Sequence, residues 1–172
     1  MEKTAWGKIT LNVAEAGTDE NMPSSLDSLG IVEEDSFSLE TEEGEKIQLF
    51  GSGHVLVDEK QLENIETLSC QVIVPSLEQI TKFWDVTKTG SGDTEKYTVH
   101  STVANKHYAV QFLPELEGAI KLEAPKTNPV CKLSFEEKKG WLLAISFSLI
   151  SVKTTAGKSV KFYLSKKSSS DN

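Results

Sequence analysis

Apolar and polar residues alternate with a period of two through most of the chain, which predicts β-strands. The alternation is clearest from Trp141 to Leu149, where every second residue is large and apolar and the residues between them are mixed. One face of that strand is therefore expected to lie in the core. The predicted strands cover residues 5–13, 36–41, 46–50, 54–57, 62–74, 96–103, 107–113, 119–124, 129–135, 141–153 and 159–164.

Glycine-bearing turns indicate how some of these strands are connected. The acidic residues around Gly44 predict a turn that joins strands 36–41 and 46–50 in a hairpin. Gly51 and Gly53 interrupt the next alternation, which predicts a bulge or a sharp bend. In the hairpin, the expected apolar pairs are formed by Phe37 and Leu39 against Ile47 and Leu49.

One short segment has helical spacing instead. Ser76 is a favourable N-cap residue, and Gln79 follows it at the spacing of a capping box, in which each side chain bonds the other residue's backbone N–H. Apolar residues then recur on one helical face, which predicts a helix over residues 76–86 packed on the sheet. These residues are Leu77, Ile80, Phe83 and Trp84.

Together the elements predict a mostly β fold, with two packed antiparallel sheets in a sandwich or barrel-like arrangement and one flanking helix. We expect residues 1–164 to form a single domain and the serine-rich residues 165–172 to be a disordered tail. Residues 14–35 predict a long acidic connection that docks on its own domain or on a neighbouring chain. The apolar residues of that loop are Met22, Leu26, Leu29, Ile31 and Val32.

Charge argues against one class of partner. The net charge is -8, and all 18 basic residues are lysine, so the chain has no arginine. Arginine provides the planar, bidentate donors that usually read guanine edges and grip phosphates. An acidic chain also forgoes the counterion release that drives binding to duplexes. We therefore expect no sequence-specific binding of nucleic acid.

Neither membrane insertion nor secretion is expected from the sequence. No apolar run approaches the roughly 20 residues that span a bilayer, and the first eleven residues lack the pattern of a signal peptide. Cys70 and Cys131 lie in predicted strands without the Cys and His spacing of a zinc site. Both are interpreted as buried free thiols.

No motif for catalysis stands out, and no enzyme activity, cofactor or metal is predicted. The three histidines, His54, His100 and His107, lack metal-binding spacing, although the last two are open to meeting across a hairpin. Acidic pairs fall mostly in predicted turns and are interpreted as solvated. Trp84 and Trp141 lie on apolar faces and are expected in the core rather than in a sugar-stacking platform, and Trp6 is open to either role.

The layout resembles the phage major tail tube protein, whose fold is shared with the tube of type VI secretion systems. The matching features are the opening strand, the loop 14–35, the acidic hairpin 37–50, the helix 76–86 and the closing strands from Trp141. The Ser-Leu-Gly-Ile stretch at 28–31 adds to the similarity. In that family two packed sheets carry one helix, and six subunits close into a ring that stacks into a tube.

The resemblance implies a structural virion protein that passes DNA, assembles in the host bacterial cytoplasm and ends in the virion tail. Its implied partners are further copies in hexameric rings and other tail proteins. Contacts between subunits are expected from Met22, Leu26, Leu29, Ile31, Phe37, Leu39, Ile47 and Leu49. Three alternatives stay open: a β-sandwich module that binds glycan or protein through exposed aromatic residues, a barrel-type hydrolase or isomerase, and another ring-forming virion protein such as a tail terminator.

Overall fold

The computed structural model describes residues 8–100 and 106–171. Within them the strands are β1 (Ile9–Glu15), β2 (Asp27–Ser28), β3 (Ile31–Val32), β4 (Ser38–Glu42), β5 (Lys46–Phe50), β6 (Leu56–Gln61), β7 (Ile65–Ile73), β8 (Val86–Thr89), β9 (Lys96–Val99), β10 (Tyr108–Pro114), β11 (Ile120–Glu136), β12 (Gly140–Leu149), β13 (Val152–Lys153), β14 (Ser159–Val160) and β15 (Tyr163–Lys166). A helix α1 (Leu77–Thr81) and a 3-10 turn (Gly92–Thr94) complete the elements. The prediction of a mostly β chain with one helix is confirmed for the described residues.

Nine strands form one antiparallel sheet, in the order β2, β1, β10, β11, β12, β7 and β3, with β15 also paired to β11 and β4 also paired to β7. The edge strands β2 and β3 are adjacent in the chain, joined by Leu29 and Gly30. A two-residue link spans the outer strands only if the sheet curls until its edges meet. Leu29 is completely buried in this link and holds the two edges to the core.

The core lies on the inner face of the curled sheet, where the alternation along β7 and β12 places their apolar residues. Leu68 is opposite Phe147 and Val72 is opposite Leu143, and all four side chains are completely buried. The period-two pattern therefore identified this face correctly. Phe83, just beyond α1, closes one side of the core against Phe147 at a ring separation of 6.0 Å.

Helix α1 begins as expected but ends early. The Ser76 side chain accepts from the Gln79 N–H, and the Gln79 side chain accepts from the Ser76 N–H, which confirms the capping box. The helix ends at Thr81, whose hydroxyl donates to the Leu77 carbonyl inside the last turn. Val86 then begins β8, so the prediction of a helix to that residue was wrong.

The predicted hairpin between strands 36–41 and 46–50 does not form. Strand β4 pairs with β7 in the main sheet, whereas β5 pairs with β6 in a separate two-stranded sheet. The turn lies at the glycines where the sequence predicted a bulge or a sharp bend: the Gly51 N–H donates to the Val55 carbonyl, and His54 has a φ of 60°. The predicted pairing of β4 with β5 and the observed pairing of β5 with β6 are both local in sequence. Strand β4 pairs instead with the longer strand β7.

Strand β11 replaces two predicted strands with one of 17 residues. It stays continuous because it changes partners along its length: β10 and β15 flank its first part, and β12 pairs with the part from Thr127 onward. The buried Thr127 hydroxyl donates to the Tyr108 carbonyl at 2.8 Å, next to a register shift in β10. The change of partner lets a strand with prolines at 125 and 129 remain in the sheet.

The end of the chain is held on the sheet, unlike the disordered tail that the sequence predicts. Strand β15 extends to Lys166, and the next residue, Lys167, is buried with its ammonium donating to the Glu115 carbonyl. Asp171 accepts from Lys121 at 2.9 Å and from the Ser168 N–H, which together hold its pKa at about 2. These bonds fix a segment whose composition alone favours disorder.

Candidate assembly site

The most exposed apolar surface of the described chain is a hairpin that we call the apolar arm, residues 45–62. Its strands β5 and β6 pair with each other and with no other described strand. The Leu62 N–H donates to the Glu45 carbonyl at 2.9 Å, and the Gly44 N–H donates to the Asn64 side chain at 3.1 Å. These two bonds fix the base of the arm at the start of β7.

The arm has no interior of its own. Six large apolar side chains on it have exposed fractions between 48% and 63%. A two-stranded hairpin is only marginally stable in water, and a group of exposed apolar side chains of this kind is typical of an interaction surface. The six residues are Ile47, Leu49, Phe50, Val55, Leu56 and Val57.

Polar pairs hold the two strands of the arm in register. Gln48 donates to Glu59 at 2.6 Å, and Lys46 lies 3.8 Å from the same carboxylate. A register shift between Leu49 and Phe50 leaves Val57 as an extra residue in β6. The bulge twists the end of the arm, which is one way in which proteins limit indiscriminate pairing at exposed edges.

The eight residues expected to contact other subunits fall into three groups. Ile47 and Leu49 lie on the apolar arm, and Leu39 on β4 and Ile31 on β3 are exposed elsewhere on the body. Met22 and Leu26 are half-buried in the loop. Leu29 and Phe37 pack inside their own domain, the first with no exposed surface and the second stacked on Phe112 at 4.5 Å.

Sequence reasoning missed the end of the arm, which is formed by Phe50, Val55, Leu56 and Val57. The signal was present: a Gly-Ser-Gly turn between two apolar stretches is typical of a hairpin. The sequence predicted a bulge or a sharp bend here and a strand at 54–57, but it paired strand 46–50 with strand 36–41, so these four residues were not among the expected contacts.

A second hairpin, which we call the polar arm, consists of β8, β9 and the turn between them, residues 86–99. Lys88 forms an ion pair with Glu95, and the Tyr97 hydroxyl donates to the same carboxylate at 2.7 Å. The bond from Lys88 lowers the pKa of Glu95, and the bond to Glu95 raises the pKa of Lys88. Of its larger apolar side chains, Val99 is the exposed one.

An exposed aromatic pair lies at the end of the β11–β12 hairpin. Phe135 and Trp141 meet edge to face with their ring centroids 5.3 Å apart. Trp141 is 51% exposed, so the expectation that it lies in the core was wrong. Pairing of β12 with β7 begins at Leu142, which is opposite Ile73, the last residue of β7. Trp141 therefore lies beyond the end of β7. Trp84 packs against the core, half-buried, and Trp6 lies outside the described residues.

The three histidines lie in separate parts of the described chain. His54 is in the turn of the apolar arm, His100 accepts or donates a bond at 2.7 Å to Thr87, and His107 precedes β10. Among residues 8–100 and 106–171, no group of three or more potential metal ligands is found. Cys70 and Cys131 are free thiols, as predicted, but only Cys70 is buried and Cys131 is half-buried; burial raises the pKa of each to about 12.

Comparison with known proteins adds no identification. No protein-family model matches the sequence, and no curated protein matches it significantly. In the described part of the chain, no helix has both the length and the apolar character required to cross a bilayer. Function therefore has to be inferred from the exposed surfaces and the geometry of the sheet.

Proposed function

We propose that this protein is a structural subunit that assembles with copies of itself into rings, and that the rings stack into a tube of the phage tail type. The observation that carries the proposal is the apolar arm, whose six large apolar side chains the monomer leaves in water. Burying one such side chain contributes about 1.5–3 kcal/mol. An arm of this kind is therefore a strong source of association energy.

The sheet is also consistent with assembly. In the tail tube resemblance, we propose that the two halves of the curled sheet correspond to the two packed layers of that fold. The arm pairs with no other described strand, so the outer backbone edges of β5 and β6 are available to a neighbour. Main-chain pairing at such edges gives affinity, and side chains beside it give specificity.

The charge suits a tube through which DNA passes. A net charge of -8 without arginine repels phosphates and disfavours tight contact with the duplex. We propose assembly in the host bacterial cytoplasm, incorporation into the virion tail and contacts with other tail proteins. These proposals depend on the resemblance, whereas self-association depends on the arm alone.

The exposed pair of Phe135 and Trp141 favours a second candidate, a module that binds glycan or protein through aromatic side chains. Aromatic rings at the surface stack on the apolar faces of sugars and anchor protein partners. A glycan panel read by tryptophan fluorescence tests this candidate. A response that is lost in Trp141→Ala supports it, and an unchanged spectrum across the panel removes glycan as the ligand.

The proposed assembly is tested by negative-stain electron microscopy of the purified protein over a range of concentrations, together with its mass in solution. Rings or tubes about 100 Å across are expected for six domains of this size around a channel. A chain that remains monomeric at every concentration contradicts the proposal.

A further inference from the structure

A cleft opens where the two edges of the curled sheet meet, at the opposite end of β7 from the apolar arm. Its cavity has a volume of about 910 Å³, which is within the range of ligand-binding pockets. The lining comes from the start of β1, from β3 and the turn after it, and from the end of β10. It includes Ile9, Ile31, Val32, Glu34, Phe37 and Glu115.

The cleft exists because the segment that begins with β2 stays beside β1 only as far as Leu11, so the two edges of the sheet are not joined beyond that residue. Strand β2 pairs with β1 at Asn12 and Val13, and the Leu29 N–H still donates to the Leu11 carbonyl. At Gly30 the backbone turns with a φ of 108° and continues into β3, which pairs with β7 instead. This positive φ favours glycine, and a Cβ on Gly30 would also lie 2.8 Å from the end of the Gln79 side chain.

Backbone groups face the cleft from both sides. The Lys8 carbonyl accepts from Glu115 on the β10 side of β1, while Leu11 accepts from Leu29 on the other side. Since alternate residues of a strand point their backbone groups in opposite directions, those of Ile9 point to the cleft. By the same alternation, the bond from the Glu33 N–H to Gln71 directs the groups of Val32 into the cleft.

The side chains give the cleft an apolar interior and a mainly acidic rim. Ile31 is 65% exposed, and Ile9, Val32 and Phe37 are half-buried. On the rim, Lys139 pairs with Glu33 at 2.6 Å, whereas the ion pairs of the described residues do not include Glu34. Asp35 and Glu115 add to the acidic charge, and Lys8 is a cation on the same rim. An apolar segment without carboxylates fits such a cleft.

We propose that this cleft receives the end of the apolar arm from a second copy of the chain. The inference rests on the proposed function, because it names the receiving surface for the arm. Residues 51–57 at the end of the arm contain three consecutive apolar residues, one histidine and no acidic residue. The turn between Phe135 and Trp141 consists of four charged residues and a glycine, and its Lys139 already pairs with Glu33 on the rim of its own cleft, so it provides no apolar segment for a neighbour's cleft.

The positions of the arm and the cleft make the contact head to tail. Strand β4, which leads into the arm, ends opposite Ile65, and β3 beside the cleft pairs with Val72 and Ile73. These are opposite ends of the nine-residue strand β7, about 25 Å apart. A contact between two different surfaces of each copy repeats from copy to copy and produces a ring or a filament.

Cross-linking between two differently marked copies tests the contact. One copy carries Ser52→Cys in the arm, the other carries Glu34→Cys at the cleft, and a short bis-maleimide joins thiols that lie close together. The native thiols are expected to react slowly, because Cys70 is buried, Cys131 is half-buried and both stay protonated near neutral pH. We expect at least about tenfold more heterodimer than from a mixture in which Ser91→Cys on the polar arm replaces the arm cysteine, because docking raises the effective concentration.

Two further variants make the test specific to the cleft. Phe50→Ser in the arm should reduce the cross-link about tenfold or more, since one apolar anchor is lost. Ser52→Glu should weaken association through repulsion from the rim, and Glu34→Lys on the partner should restore it. Ser91→Glu on the polar arm is the matched control and should have no effect.

The outcomes separate this inference from the proposed function. If copies associate and Phe50→Ser blocks association, but no link forms between arm and cleft, the cleft is not the receiving surface and self-assembly still stands. If the Ser91→Cys mixture gives an equal yield, the link reports random collision and the inference is overturned. If copies never associate at any concentration, both the proposed function and this inference fall.

Discussion

The two arms of this protein have the same architecture and different surfaces. Each is a two-stranded hairpin whose strands pair with each other outside the main sheet. The polar arm is stabilised within itself by a lysine, a glutamate and a tyrosine that share bonds. The apolar arm instead has six large apolar side chains that are 48–63% exposed and lie outside the hydrophobic core.

The monomer completes only one of these two hairpins by itself. Solvated ion pairs contribute little to stability but keep a hairpin soluble. Exposed apolar side chains contribute nothing until another surface removes them from water. The polar arm is therefore complete in the monomer, whereas the apolar arm needs a neighbouring molecule to bury its apolar side chains.

The largest effect is expected from removing the apolar end of one arm. Phe50→Ser together with Leu56→Ser should raise the concentration needed for assembly by about 100-fold or more, since two buried apolar side chains are lost. Light scattering over a concentration series measures this shift. The matched change on the polar arm, Val99→Ser, should leave the assembly concentration unchanged.

Folding must survive that change if it is to report on assembly. Because the substituted side chains are exposed, the free energy of unfolding of the monomer should change by no more than about 0.5 kcal/mol. Phe147→Ala in the core is expected to cost about 3–5 kcal/mol in the same urea titration. Comparable losses at both places would show that the arm belongs to the folded core, against the present account.

A graft provides a second comparison of the arms. Lys96→Val together with Thr98→Val makes the polar arm apolar without giving it the sequence of the other arm. We expect roughly tenfold lower solubility and irregular aggregates, because the new surface has no shaped partner. Electron microscopy distinguishes these aggregates from rings. A chain that carries the graft together with Phe50→Ser and Leu56→Ser should not form regular rings. If it did, any apolar arm would support assembly, and the shape of the natural arm would not matter.

A smaller effect is expected from acid on the polar arm. The pKa of Glu95 is lowered by Lys88 from its usual 4.5, so the cluster is complete above that value and is lost as the pH falls through the lowered pKa. Backbone chemical shifts of residues 86–99 should move toward unfolded values in that range. Lys88→Gln should remove most of the transition, and an identical transition in the variant would assign it to other groups.

The smallest effect is expected at the two thiols of the body. Burial raises the pKa of Cys70 and Cys131 to about 12, so both stay protonated near neutral pH. A maleimide should leave both unmodified for hours in the native protein and react with both in urea. Rapid native modification at pH 8 would indicate that the core opens. The native thiols would then add a background to cross-linking through cysteines placed on either arm.

Local patterns predicted the inner face of the sheet and the start of the helix. Alternation in β12 placed Leu143 and Phe147 in the core, and the capping box placed Ser76 at the helix start. These features depend on neighbours in sequence, which a pattern records directly.

The candidate site was harder to predict, because it depends on partners distant in sequence. Strands β4 and β5 are adjacent in the chain and have the same alternation, yet β4 pairs with β7 in the main sheet and β5 pairs with β6 in the apolar arm. An exposed apolar strand has the same period of two as a buried one, so the pattern did not distinguish the exposed Leu49 from a core residue. The early end of β7 likewise exposes Trp141, which its apolar neighbours in sequence do not reveal.

Copies of the chain are proposed to cover the apolar arm and to leave the polar arm in water. Hydrogen exchange followed by mass spectrometry, at a low and a high protein concentration, measures both arms in one sample. We expect slower exchange at high concentration in residues 46–61 and unchanged exchange in residues 86–99. Equal protection of the two arms, or protection of the polar arm alone, would contradict this proposal.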